Sequence, residues 1–160
     1  GLVAMLKIAI RDLQRGPVDT EGEVSPSDPV FAGLDLPLDG PVSVEGQLQA
    51  TEGDDFLWRG VIRATATIPC RRCLVDVQVR LRREVDVLLS SDPEAADDPS
   101  VYPLPEAALQ IDLTGVVREE LALEVPAFVL CREDCAGLCP TCGADLNAGP
   151  CACVRSAEPA

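Results

Sequence analysis

The sequence predicts an α+β fold, mostly β: an antiparallel sheet covered by one helix, with a cysteine-rich segment at the C-terminus. Three observations carry this. Apolar residues recur with period two along much of the first half, the pattern of strands with one face toward a core and one toward water. A single later segment, opening at Asp112, changes to helical spacing. Eight cysteines occur in a chain of 160 residues, and six of them follow residue 130. At 47% apolar and 25% charged the chain can bury a core, which excludes wholesale disorder. Only 3% of residues are aromatic, so that core must be built from Val, Leu, Ile and Ala.

Leu6, Ile8 and Ile10 predict a short opening strand, and the Gly/Pro/Asp-rich residues 16–40 read as loop. Val42, Val44, Leu48 and Ala50 face one way, against Ser43, Glu45, Gln47 and Gln49. After the turn Glu52-Gly53-Asp54-Asp55 a second long strand sets Ile62, Ala64, Ala66 and Ile68 against Arg63, Thr65 and Thr67. A third follows the Cys70–Cys73 turn, with Val75, Val77, Val79 and Leu81 inward and Val85, Val87 and Leu89 continuing the face. This register puts Arg83 on the buried side, where a guanidinium needs either a bulge or an acidic partner. Residues 91–107, with four prolines, five acids and no basic residue, read as a mobile acidic loop. Asp112 is placed to cap a helix carrying Leu113, Val116, Val117 and Leu121 on one face and Arg118, Glu119 and Glu120 on the other, stopped before Pro126. The expected division is a β-rich core with its covering helix over 5–130, a cysteine-rich zinc-binding segment over 131–153, and a disordered tail over 154–160.

The cysteines fall at Cys70-x2-Cys73, then Cys131-x3-Cys135-x3-Cys139-x2-Cys142, then Cys151-x-Cys153. A C-x2-C turn aims two sulfurs at one point, and in Cys139-Pro140-Thr141-Cys142-Gly143 the proline stiffens the turn while the glycine lets the chain reverse. Thiolates are soft ligands, and four in a tetrahedron suit zinc. The eight make two structural zinc sites of four cysteines with none left over. Disulfides are disfavoured because Cys151-x-Cys153 is poorly shaped to close on itself and the chain reads as cytoplasmic, where thiols stay reduced. A thioredoxin-type reading needs a strand-to-helix setting, whereas both flanks of Cys70–Cys73 read as strands. Two pairings fit the spacing. In the preferred one Cys139, Cys142, Cys151 and Cys153 close locally, and Cys70 and Cys73 are tied to Cys131 and Cys135. In its rival Cys70 and Cys73 meet Cys139 and Cys142.

Histidine is absent and Lys7 is the one lysine. That removes Ser-His-Asp and Cys-His catalysis, and nearly all Schiff-base chemistry. With no conspicuous carboxylate pair outside acidic loops, no enzyme and no small-molecule substrate are expected. No stretch approaches the roughly 18 apolar residues of a membrane span. Lys7 and Arg11 interrupt the N-terminal apolar run too soon for a signal peptide, and Met5 reads as the natural start. The net charge of −14 is uneven. Residues 58–84 hold seven arginines against two acids, a net of +5, which leaves −19 for the rest. Arg59, Arg63, Arg71, Arg72, Arg80 and Arg82 are either solvated strand-edge residues or a contact strip for nucleic-acid phosphates. Phe56 and Trp58 can stack on bases or belong to the core; for a lone Trp beside a strand, the core is preferred.

The Cys-x-Arg-Cys-Leu turn, Ile111-Asp112-Leu113 opening a helix, and the block Cys135-Ala-Gly-Leu-Cys-Pro-Thr-Cys-Gly-Ala-Asp-Leu-Asn147 followed by Cys-x-Cys resemble the YceD-like family, the large ribosomal RNA subunit accumulation proteins. The likeness spans roughly residues 42–153. Members often continue past Cys-x-Cys with Asp-Pro-Arg and a short apolar segment, which Val154–Ala160 replaces here. The resemblance implies a bacterial and plastid factor in ribosome biogenesis, needed for 23S rRNA to accumulate. Its expected partners are pre-ribosomal large-subunit RNA, a basic large-subunit ribosomal protein, or both. A redox-regulated zinc-thiolate switch with holdase activity is the alternative.

Overall fold

The structure, a computed structural model, describes residues 6–153. Met5 and the tail 154–160, expected to be disordered, lie outside the described residues. In chain order the elements are β1 (Lys7–Ala9), the one-turn helix α1 (Ile10–Leu13), β2 (Val18–Val24), β3 (Val42–Ala50), β4 (Phe56–Pro69), β5 (Asp76–Ser90), β6 (Val101–Pro103), β7 (Gln110–Asp112) and α2 (Thr114–Ala122). Strands β2-β3-β4-β5-β6 form one sheet, antiparallel except for β6, which runs parallel to β5 at the edge. A separate antiparallel ribbon pairs β1 with β7. The fold is therefore mostly β with an antiparallel-dominant sheet.

The long strands follow from their alternation. Val42, Val44, Leu48, Trp58, Ile62, Ala64, Ala66, Leu81, Val85, Val87 and Leu89 are buried on one face. Leu6, Ile8, Leu13, Ile111, Leu113, Val116, Val117 and Leu121 from the ribbon and helices join the same core. Trp58 has no exposed surface, so it is core rather than a stacking platform, and Phe56 is buried as well. The indole lies over Gly60, which pairs with Gly46 across the strands; a Cβ at Gly60 would stand 2.8 Å from the ring. The indole N–H then reaches across to donate to Thr20 Oγ1 at 2.9 Å.

That contact explains one departure from expectation. Residues 16–40 are not all loop: β2 forms the sheet edge, and Pro29–Phe31 make a 3-10 turn. The period-two pattern of β2 is hidden because two of its inward positions are Thr20 and Gly22 rather than aliphatic residues. Residues 91–107 likewise contain structure, a 3-10 turn at Pro93–Asp97 and the strand β6. The Asp92 carboxylate caps that turn by accepting from the Glu94 amide at 2.9 Å. Ile10 opens α1 rather than extending β1. Ala50 is exposed, and Val75, expected inward, is 52% exposed; the inward series of β5 starts at Val77.

Helix α2 matches the expected segment but ends at Ala122, four residues before Pro126. Asp112 Oδ1 accepts from the Thr114 amide at 3.0 Å and from its hydroxyl at 2.7 Å. Glu120, expected on the water side, is 5% exposed. It belongs to the answer for Arg83, whose strand runs in register without a bulge, opposite Ile62. Arg83 donates to Glu120 Oε2 at 2.6 Å and to Glu124 Oε1 at 2.9 Å, and the Tyr102 hydroxyl donates to Glu120 Oε1 at 2.9 Å. Both carboxylates raise the Arg83 pKa, and burial beside Glu120 raises that of Tyr102. The buried charge is thus paired rather than expelled, and it ties β5, β6 and α2 together.

Candidate metal centres

Two groups of four thiols form. Cys70, Cys73, Cys131 and Cys135 converge in one, and Cys139, Cys142, Cys151 and Cys153 in the other, each with its sulfurs within 4.8 Å of one another. Of the two pairings left open by the spacing, this is the local-plus-long-range one. Cys70 and Cys73 sit in the turn between β4 and β5, and Cys131 and Cys135 follow the exit of α2.

The two C-x2-C turns have the same build. The Cys70 amide donates to Val75 O at 2.7 Å and the Leu74 amide to Cys70 O at 2.9 Å. In the second turn the Cys139 amide donates to Ala144 O at 2.8 Å and the Gly143 amide to Cys139 O at 2.9 Å. Closing each turn requires a left-handed residue directly after the second cysteine, Leu74 with φ 66° and Gly143 with φ 78°. Glycine takes that conformation freely, whereas a leucine pays on the order of 1 kcal/mol.

Backbone amides then point at the sulfurs. Cys70 receives the amides of Cys73, Arg72 and Cys131, and the Cys73 amide does most to hold it near pKa 6. Cys139 is held at about 6 in the same way, the Cys142 amide first and the Thr141 amide second. Cys135 is lowered chiefly by the Asn147 side chain, whose Nδ2 donates to its sulfur at 3.3 Å. Their neighbours move oppositely. Loss of water around the sulfur, then the Cys73 thiol, push Cys131 up to about 12, and the Cys142 thiol with loss of water raises Cys153 to about 11. Four sulfurs this close cannot all ionise without a cation among them.

The donor set fits a tetrahedral thiolate metal. Sulfurs bound at about 2.3 Å to one zinc stand about 3.8 Å from each other. Cys70 Sγ and Cys135 Sγ are 3.7 Å apart, and Cys73 Sγ and Cys131 Sγ 3.6 Å. A disulfide needs roughly 2.05 Å. The first group can hold a metal through Cys70, Cys73, Cys131 and Cys135, and the second through Cys139, Cys142, Cys151 and Cys153; four thiolates would leave no open position for water.

Cysteine spacing gives no signal for Asn147, the residue that ends the Leu146-Asn147 pair. It sits in the loop of the second group yet serves the first. Besides its contact with Cys135, its Oδ1 accepts from the Ala136 amide at 2.8 Å and from Arg132 at 2.9 Å. Such outer contacts orient a ligand and tune its basicity.

The six arginines of the basic strip separate into two sets. Arg71 and Arg72 lie in the first cysteine turn. Arg71 donates to Ala127 O at 3.2 Å and stands 5.1 Å over the Phe128 ring, and Arg72 donates to Cys135 O at 3.0 Å. Both hold the 127–138 segment against the turn. Arg59, Arg63, Arg80 and Arg82 project from the water face of β4 and β5. Three carry surface ion pairs: Arg59 with Asp86 at 3.4 Å, Arg63 with Glu45 at 2.9 Å, and Arg82 with Glu84 at 3.0 Å. Among the described residues no helix is long and apolar enough to cross a membrane.

Comparison with known proteins places these features in a family. The model of the family described as "Large ribosomal RNA subunit accumulation protein YceD" matches residues 58–159, a range that contains all eight cysteines. An uncharacterized protein of Mycobacterium tuberculosis is 31% identical over 99 residues, covering 61% of this chain and 48% of the relative. A Zea mays protein named "Large ribosomal RNA subunit accumulation protein YCED homolog 1, chloroplastic" is 25% identical over 164 residues, covering 84% of this chain and 51% of its own length. The Arabidopsis thaliana protein of the same name is 24% identical over 126 residues, covering 60% and 39%. The chain spans about half the length of the curated relatives it matches. No solved structure gives a significant match. The chain belongs to the YceD family of large ribosomal RNA subunit accumulation proteins.

Proposed function

We propose that the chain is a non-enzymatic ribosome biogenesis factor that supports accumulation of 23S rRNA in the bacterial cytoplasm. It acts as an acidic module with two structural zinc sites that contacts pre-ribosomal large-subunit RNA, a basic ribosomal protein, or both. The observation that carries this reading is the family match over a block containing every candidate metal ligand. Zinc, when bound, supplies cross-linking rather than chemistry: it fastens the β4–β5 turn to the exit of α2 and fixes the shape of the C-terminal loop. On this reading 5–130 is the body, 131–153 the metal-binding segment, and the first site the bolt between them. The arginines at 59, 63, 71, 72, 80 and 82 supply the positive edge for RNA, and the −19 remainder suits a basic protein.

Purification of the tagged protein from its host at low salt tests the proposal. Enrichment of large-subunit precursor particles, by sequencing of bound RNA and identification of bound protein, is the expected result. A protein recovered without ribosomal company would contradict it. Peroxide-triggered zinc loss accompanied by holdase activity would favour the redox switch instead.

A further inference from the structure

The water face of the sheet carries a groove that sharpens this reading. Antiparallel register sets Arg63 directly opposite Arg82 and Thr65 opposite Arg80, so the three guanidinium groups leave one face in two adjacent rungs. Along β5 the two-residue step from Arg80 to Arg82 is about 6.8 Å. Ser43 lies beside Arg63 on β3, and Gln78 continues the row beyond Arg80. Together with Asp39, Gly40 and Pro41 at the rim these residues line a groove of about 670 Å³.

Like charges directly across a strand pair are unfavourable unless something neutralises them. Arg63 and Arg82 each borrow one carboxylate, Glu45 and Glu84, in pairs whose side chains are about half exposed or more. Such pairs are weak and exchange readily. Arg80 has no ion pair at all among the described residues. The rim carboxylate of Asp39 is engaged elsewhere, accepting from the Thr67 hydroxyl at 2.8 Å. Three guanidinium groups thus share two exposed carboxylate partners, and guanidinium favours phosphate oxygens through paired N–H donors.

The face also says which kind of contact this is. Trp58, Phe56 and Phe31 are buried, Tyr102 is bonded to Glu120, and Phe128 lies at the cysteine turn. No ring is left on the groove for a base to stack on. Resting on the RNA reading above, we propose that Arg63, Arg80 and Arg82 form a phosphodiester-binding groove that takes the RNA backbone without reading its bases. Arg71 and Arg72, tied to backbone carbonyls of the cysteine segment, lie outside it.

Anisotropy titration of the full chain with a 20-base-pair RNA duplex, from 50 to 300 mM salt, tests the groove. Three phosphate contacts give a log–log salt slope of about −2.7. Each arginine-to-glutamine change removes about 0.9 of slope and about 8-fold of affinity at 0.1 M salt, relative to a 1 M reference. Arg80→Gln shows the single effect, and the triple Arg63→Gln/Arg80→Gln/Arg82→Gln variant loses nearly all binding. Arg15→Gln, an exposed arginine between α1 and β2 and outside the basic strip, stays within about 2-fold, as does a duplex of scrambled sequence. If the wild type binds and the triple variant binds equally, the groove is wrong while the RNA reading stands. If the wild type does not bind at 50 mM salt, the RNA reading itself fails. Displacement of RNA by orthophosphate beyond what chloride achieves at equal ionic strength would make this a small-anion site and overturn the backbone assignment.

Discussion

Cys70–Cys73 and Cys139–Cys142 occupy the same turn, closed by the same pair of backbone hydrogen bonds, yet they recruit ligands from very different distances. Cys73 lies beside Cys131, 58 positions along the chain, whereas Cys142 and Cys151 are nine apart. Loop-closure entropy grows with the logarithm of loop length, so the longer closure is worth about 1.6 kcal/mol more against the unfolded chain. The first group is also mostly buried and packed with Val77, Leu130 and Leu138; in the second only Cys139 is buried, Cys151 and Cys153 are half-buried and Cys142 is exposed. One geometry of metal turn thus serves two purposes, joining remote parts of a β body in one case and shaping a terminal loop in the other.

The sharpest break of this comparison is one serine in each group. Cys70→Ser is expected to drop metal content from two per chain to one and lower the melting temperature by more than about 10 °C, at roughly 2–4 °C per kcal/mol. Cys142→Ser is expected to drop metal content equally and leave the main transition within a few degrees. Elemental analysis beside scanning calorimetry reads both, and equal melting shifts would erase the distinction between the two groups.

If the first group is the principal tie between α2 and the sheet, the Arg83–Glu120–Tyr102 network must be the lesser one. Glu120→Ala leaves Arg83 with only Glu124 and should cost about 2–3 kcal/mol, below the 3–5 typical of fully buried pairs because Arg83 keeps 29% of its side chain exposed. Urea denaturation measures it, and a loss larger than that of Cys70→Ser would invert the ranking. Asn147→Ala tests a side chain that links the groups. It should weaken metal at the first site about 10- to 100-fold and leave the second unchanged, in chelator competition followed separately in the two serine backgrounds. The smallest expected effect is Leu74→Gly, which makes the first turn resemble the second. Relief of the left-handed strain and the added freedom of the unfolded chain nearly cancel, so stability should move by less than about 1 kcal/mol. A larger loss would mean that the Leu74 side chain, 62% exposed, does more than its surroundings show.

The long strands and α2 were legible because their side chains state their faces. The edge strand β2 was not, since Thr20 earns its place through a bond to Trp58, 38 positions away, that no local pattern announces. Glu120 misled for the same reason: a glutamate on a helix reads as solvated until Arg83 is known to lie beneath it. The Arg83 requirement itself was readable, because strand register forced the residue inward. Cysteine spacing exposed both candidate metal groups, and three-dimensional proximity was needed to choose between the pairings. Arg71 and Arg72 looked equivalent to Arg80 in a charge tally, and only their bonds to Ala127 and Cys135 carbonyls separate them.

Everything in this comparison rests on metal held by sulfur at both turns. Native mass spectrometry of the gently purified chain, with elemental analysis and a thiol count of the same sample, tests that most directly. Two zinc ions per chain, with all eight thiols titrating only after acid or chelator releases the metal, are predicted. A metal-free folded protein, or one whose cysteines are already joined in pairs, would contradict the account.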